Sequence, residues 1–304
     1  MAFIIDAHQD MAYNHLAYQR DYRRSVSETR KLEANTYIPA EADHTLLGWE
    51  EYQRGQVALI FGTLYLVPGD QTYPTQSGTL PIYHNADEAR KFYRKELDYY
   101  NLLDQSSENM FHLVRSRGEL SAILAPWQAQ PAAFPDVTHP VGLLMSIEGL
   151  EGVGKIQEID EYWQLGVRAI GPVWSGGRFC GGTIHHGGFT AEGYELLKIM
   201  ARIGYILDLS HMTDLSARQA LDAYDGPVIA SHANARALLG SASGERHFTD
   251  EAIRALAARD SVMGIVPFNT FLKTSWNKED PNDTIPMQAL VEQIDYVCQL
   301  TGSA

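Results

Sequence analysis

The chain has 304 residues, 45% hydrophobic and 20% charged, the composition of a soluble globular protein with enough apolar surface for a sizeable core. Its 38 acidic against 24 basic residues give a formal charge of −14, which repels nucleic acid and anionic membranes and disfavours a polyanionic substrate. Cys180 and Cys298 are too few for a disulfide framework or a thiolate site, so any metal has to rely on nitrogen and oxygen ligands.

The N-terminus MAFIIDAHQD carries no charged n-region, long apolar stretch or small-residue cleavage site, and no apolar run elsewhere is long enough to span a membrane. A cytoplasmic location without membrane partners is the expectation. No linker-like composition shift divides the sequence, and a single domain over 1–304 is expected.

Short β-rich apolar runs recur at Phe3 to Ile5, Val57 to Val67, Val141 to Ile147, Val167 to Val173, Tyr205 to Leu209, Val228 to Ala230 and Val262 to Val266. Helical patterns lie between them, at Ala86 to Arg117, Ile156 to Leu165, Ala191 to Ile203, Asp214 to Tyr224 and Asp250 to Ala258. Thr190, Thr213 and Thr249 stand at N-cap positions. Near-continuous apolar strands alternating with helices predict an α/β fold with a parallel sheet covered on both faces. Seven such units predict a (β/α)8 TIM-type barrel. After a last amphipathic helix, about Met287 to Leu300, the sequence stops where an eighth strand is due, so a C-terminally truncated barrel is expected. The Pro/Gly/Tyr-rich stretch Pro68 to His84 is long for a βα loop and reads as a substrate-side lid or as a surface excursion.

In a parallel barrel the active site forms where strands end. The first run ends in DAHQD, the third in SIEG, the fifth in LDLSH and the sixth in IASH. Strand residues two apart share a face, so His8 and Asp10 can address one ion. With Glu148, His211 and His232 they make five ligand groups, more than a single catalytic zinc needs, and two divalent ions are expected. Glu148 can bridge the pair and hold a hydroxide there, which makes it the catalytic carboxylate and amide or ester hydrolysis the reaction class.

The motifs DAHQD, SIEGLEGV, LGVRAIGPVW, IGYILDLSHMTD, PVIASHANARAL and GERHFTDEAI, in this order, resemble those of the membrane (renal) dipeptidases. The resemblance implies an amidohydrolase-superfamily barrel with two zinc ions on His8, Asp10, Glu148, His211 and His232. It also implies hydrolysis of dipeptides, including some with a C-terminal D-residue. Arg246 would bind the substrate carboxylate, as a planar guanidinium suits.

The sequence departs from that pattern twice. Trp174 stands where renal-type members place a histidine after the fourth strand, so Trp174 becomes a wall of the substrate pocket. The aspartate that follows the eighth strand in the family has no counterpart. His185 and His186 in the neighbouring glycine-rich loop are read as solvated. Asp6 either holds a ligand histidine or caps its strand, and Asp208 is read as a structural hydrogen-bond acceptor. Met200, Met212 and Met263 read as core filler, and Tyr93, Tyr99 and Tyr100 as helix packing.

A metallo-dipeptidase is the leading reading. A lactonase, an N-acyl amino acid hydrolase or a metal-binding barrel with little turnover are the alternatives. The partner is a small dipeptide-like molecule, and a homodimer is compatible with this.

Overall fold

Strands that are apolar along their whole length have to be covered on both faces, and this governs how the first half of the chain folds. The computed structural model describes residues 3–69, 80–106, 109–277, 279–281 and 284–303. It divides into two compact units, Met1–Arg168 and Ala169–Ala304.

In the first unit the strands are β1 (Ile4–Gln9), β2 (Val57–Leu64), β3 (Phe111–Leu113) and β4 (Val141–Glu148). β2 pairs with both β1 and β4, β3 pairs with the start of β4, and every pairing is parallel. All residues of β4, and all but the first of β2, are buried. Ile4 and Ile5 depart from expectation, being about half exposed on the edge of β1.

The predicted helix Ala86 to Arg117 is three elements: a helix over Ala86–Ser106, β3, and a second helix over Arg117–Ala129. Between the first helix and β3, Asn109 adopts a left-handed φ of 70°. Phe111 and Leu113 then bury on one face of a strand, and Ser116 caps the next helix by accepting from the Glu119 N–H. Tyr93, Tyr99 and Tyr100 are buried packing residues, as read. Of the stretch Pro68 to His84, residues 70–79 lie outside the described residues, while Val67–Pro68 pairs with Ile82–Tyr83.

The division between units falls within β5 (Val167–Gly171), which is followed by β6 (Ile206–Asp208), β7 (Val228–Ala230) and β8 (Val262–Met263). These are again parallel, paired in chain order. Three connecting helices, Ala191–Ile203, Asp214–Ala223 and Asp250–Ala257, start at Thr190, Thr213 and Thr249, whose side chains accept from Gly193, Ser216 and Ala252 N–H. β8 is shorter than predicted, and its Val262 is exposed. Among the described residues no strand follows it. No helix among them is long and apolar enough to cross a membrane.

The excursion from β1 to β2 is organised by a buried cation. Arg20 donates from Nε and Nη2 to both oxygens of Glu33 (2.8 and 3.1 Å). It also donates to the Asn14 side chain (3.2 Å) and the Asp43 carbonyl (2.9 Å). Asn14 in turn donates to the carbonyl of Asp10 (2.9 Å), so this ion pair steadies the turn that carries Asp10. Removing one charge leaves the other buried and uncompensated. Glu33→Gln is therefore expected to lower stability by about 3 kcal/mol, read as a shift of the urea unfolding midpoint. A change within about 0.5 kcal/mol, the size of a surface substitution, would show that the pair is not structural.

Candidate metal centre and active site

His8, Asp10 and Glu148 meet in the first unit. Asp6 accepts from the backbone N–H of His8 (3.2 Å) and from the side chain of Gln9 (2.7 Å), so it caps the strand rather than gripping the imidazole. Tyr52 fixes Gln9 from the other side through a 2.7 Å hydrogen bond. His8 Nε2 then lies 3.5 Å from Asp10 Oδ1 and 3.7 Å from Glu148 Oε2, while its Nδ1 faces the Thr63 hydroxyl at 3.3 Å. Asp10 Oδ1 is buried without a hydrogen-bond partner among the described residues. An unsatisfied buried acceptor costs about 1–3 kcal/mol, and a cation relieves that cost. The donor set fits a divalent metal of nitrogen and oxygen preference.

Two neighbouring carboxyls were not singled out in the sequence. Glu96 is fully buried and accepts from the N–H of Tyr65, just after β2, at 3.4 Å, and burial pushes its carboxyl well above the usual range. Burial likewise raises Glu151 to about 7, with the charge of Glu148 adding to the effect.

In the second unit His211 and His232 follow β6 and β7. His211 holds a left-handed φ of 68°, a conformation that costs a non-glycine residue about 1–2 kcal/mol and is characteristic of functional positions. The Nε2 atoms of the two histidines face each other at 2.9 Å.

Asp208 explains the orientation of His232. Its carboxylate accepts from the N–H and hydroxyl of Ser210 (3.0 and 2.8 Å) and from the N–H of Ser231 (2.9 Å). The Ser231 hydroxyl makes a further short bond to it. Since that hydroxyl donates to Asp208, it accepts from Nδ1–H of His232 at 2.6 Å. In the neutral ring the lone pair is then on Nε2, the form in which histidine binds metal. Thr183 Oγ1 contacts His211 Nδ1 at 2.8 Å in the same way.

Trp174 stands beside this pair, its ring centroid 6.1 Å from that of His211. Arg246 donates to the carbonyl of His232 (2.9 Å) and stacks on Phe271. A cavity of about 220 Å³ is lined by Arg246, His211, Thr183, Met212, Glu245 and His186 among others. His185 and His186 are exposed, as read, but His186 pairs with Glu245 at 3.1 Å. Met200 and Met212 are buried, whereas Met263 is only half-buried.

Comparison with known proteins adds to this geometry. The model of the membrane dipeptidase family, peptidase family M19, matches residues 1–304. The chain belongs to that family. Among curated relatives, an uncharacterised Klebsiella pneumoniae protein encoded in the pqqA 5′ region is 29% identical over 199 residues, 62% of this chain and 70% of its own length. The dipeptidase tcpJ of Claviceps purpurea is 30% identical over 162 residues, 51% of this chain and 35% of its own. The matches span between a third and about seven tenths of the curated relatives' length.

Among solved structures, a metallopeptidase from Rhodobacter sphaeroides, liganded with a phosphinate mimic of the dipeptide L-Ala-D-Ala, superposes with a TM-score of 0.75 at 19% identity. The match covers 99% of this chain and 83% of that one. A metallopeptidase of the same family, dipeptidase AC, gives 0.68 at 20% identity over 91% and 79%. At these identities the likeness is one of fold, and the α/β class of the TIM-type barrel, expected from the strand and helix alternation, is the fold of this chain.

Thr183, Ser231, Glu245 and His247 were not singled out as site residues in the sequence. Three of them adjoin residues that were, Ser231 before His232 and Glu245 and His247 on either side of Arg246, but a polar residue next to a site residue has no spacing signature. His247 is buried, and its Nδ1 accepts from the Asn234 N–H (3.2 Å). Burial first, then the charges of Arg246 and Arg236, push it down to about 3. The depressed value means that the folded protein stays unprotonated here while the unfolded chain takes up a proton below about 6.5. This contribution to stability is complete above pH 6.5 and is lost as the pH falls toward 3, by up to about 1.4 kcal/mol per pH unit. Urea titrations of the wild type between pH 6.5 and 4 should decline more steeply than those of His247→Asn, and equal slopes would contradict the assignment.

Proposed function

We propose that the chain is a metallo-dipeptidase with two divalent ions, zinc in the native enzyme, held by His8, Asp10, Glu148, His211 and His232. The observation that carries this reading is the paired arrangement at strand ends: His8 facing two carboxylates at the ends of β1 and β4, and the Nε2 atoms of His211 and His232 facing each other after β6 and β7. Bound ions supply Lewis acidity toward the scissile carbonyl and acidify the attacking water.

The chain's own groups do the rest. Glu148 orients that water as well as serving as a ligand. Asp208 and Ser231 keep the lone pair of His232 on Nε2. Arg246, which lines the same cavity as His211, receives the substrate's free carboxylate through charge-assisted hydrogen bonds. The dipeptide mimic bound by the R. sphaeroides relative supports a dipeptide substrate, and a C-terminal D-residue is part of the proposal. The aromatic wall of Trp174 beside His211 favours as a second reading an N-acyl amino acid, which shares the free carboxylate and the bond type. A cytoplasmic location is proposed with it, in keeping with the free thiols of Cys180 and Cys298.

Elemental analysis of the purified protein is expected to find about two divalent ions per chain. His211→Ala should lose one of them together with nearly all hydrolysis of a dipeptide panel carrying L- and D-residues at the second position. A folded preparation without metal, or unchanged turnover in the variant, rules the reading out. Arg246→Ala should raise KM for dipeptides by at least about tenfold while leaving KM for their C-terminal amides nearly unchanged. A parallel rise for both would remove Arg246 from the carboxylate site.

A further inference from the structure

We infer that Glu245 selects a basic side chain on the substrate residue whose carboxylate Arg246 holds. The inference rests on the proposed role of Arg246 and extends it to the chemical class of the C-terminal residue. Glu245 and Arg246 are consecutive in the 3-10 segment Ser241–Arg246, and both line the cavity of about 220 Å³ that His211 borders. Glu245 is the acidic residue among the described lining residues, the others being His186, His211, Met212, two threonines, two glycines and Arg246. An amino acid with its α-carboxylate on the Arg246 guanidinium has its side chain only a few bonds away, within reach of the adjacent carboxylate.

The present partner of Glu245 is easily displaced. His186 Nδ1 meets Glu245 Oε2 at 3.1 Å, with the imidazole 65% and the carboxylate 39% exposed. Solvent screens such a pair, and its contribution is small. A lysine ammonium offers three donors and a full charge, and an arginine guanidinium offers a planar fork, where the imidazole offers a single N–H at that position. An acidic side chain placed there meets Glu245 while the neighbouring cation is engaged by the α-carboxylate. The net charge of −14 acts in the same direction, drawing cationic peptides toward the surface and repelling anionic ones.

The test compares metal-replete wild type and Glu245→Gln on dipeptides that differ only in a C-terminal lysine, norleucine or glutamate. The same enzymes are titrated calorimetrically with non-hydrolysable phosphinate analogues ending in lysine or norleucine. For the wild type, kcat/KM is expected to fall in the order lysine, norleucine, glutamate, with lysine ahead of norleucine by about fivefold. Glu245→Gln should bring lysine and norleucine together, through a fall in kcat/KM for the lysine peptide. The lysine analogue should bind the wild type more tightly than the norleucine analogue, and that margin should vanish in the variant. Equal binding and equal turnover of lysine and norleucine compounds by the wild type overturn the inference, as does a lysine preference that survives Glu245→Gln. Absence of hydrolysis with a lysine binding preference that depends on Glu245 would support the inference while removing the dipeptidase reading.

Discussion

The carboxylate of Asp208 is the point on which the second unit's site depends. Four donors from Ser210 and Ser231 converge on it, one backbone N–H and one hydroxyl from each, so it joins the ends of β6 and β7 and at the same time fixes the tautomer of His232. A carboxylate partly removed from water needs its lone pairs satisfied, and here the groups that satisfy the half-buried Asp208 immediately precede the two proposed ligands. The left-handed backbone of His211 is affordable in this setting, because the same interactions hold the residue before it.

The first unit reaches a comparable arrangement by other means. Asp6 closes the end of β1 through the His8 N–H and the Gln9 side chain, and Tyr52 anchors Gln9 in turn. The imidazole is thereby left for Asp10 and Glu148, and the turn that follows is steadied through Asn14 by Arg20 and Glu33. In both units the polar groups that shape the site are held partly by residues at the strand ends and partly by distant ones, Tyr52 in the first unit and Thr183 in the second. Among the described residues the buried Oδ1 of Asp10, a proposed ligand, has no hydrogen-bond partner, and neither has Oε2 of Glu96. Asp10 Oδ1 lies 3.5 Å from Nε2 of His8, and this pairing of a carboxylate oxygen with an imidazole nitrogen is the physical argument for a cation there.

Much of this was legible in the sequence because it depended on periodicity and order. Buried parallel strands read as apolar runs, all seven of which form strands, and threonines at the helix starts announced themselves by position. The polar residues after four of those strands stood out because packing asks for nothing polar there. β3 was hidden because Phe111, His112 and Leu113 follow a long amphipathic helix and two apolar residues cannot outvote its period. The exposure of Ile4 and Ile5 was equally hidden, since an apolar edge and an apolar centre have the same composition. The Thr183 contact with His211 links residues 28 apart in sequence and depends on how the glycine-rich loop returns, for which no local pattern exists. Asp6 shows the limit of parity arguments: it shares a strand face with His8, yet it bonds the backbone rather than the ring.

The strong negative charge constrains any substrate the site takes. A molecule carrying −14 overall presents a repulsive field to anions, so a carboxylate has to be drawn in by local positive charge against that field. Arg236 is largely unavailable for this, because it is bidentate on Asp214 (2.7 and 2.6 Å) and also donates to the His247 carbonyl. Arg246 lies at the cavity itself, with Glu245 next to it reducing the local positive potential. With the proposed role of Arg246, such a site would discriminate against polyanions and accept a molecule whose single carboxylate is balanced by its own cation. A zwitterionic dipeptide, the proposed substrate, meets that condition: its overall charge is near zero, so the global field does not oppose its approach, and the proposed contact with Arg246 would act on its carboxylate over a short distance only.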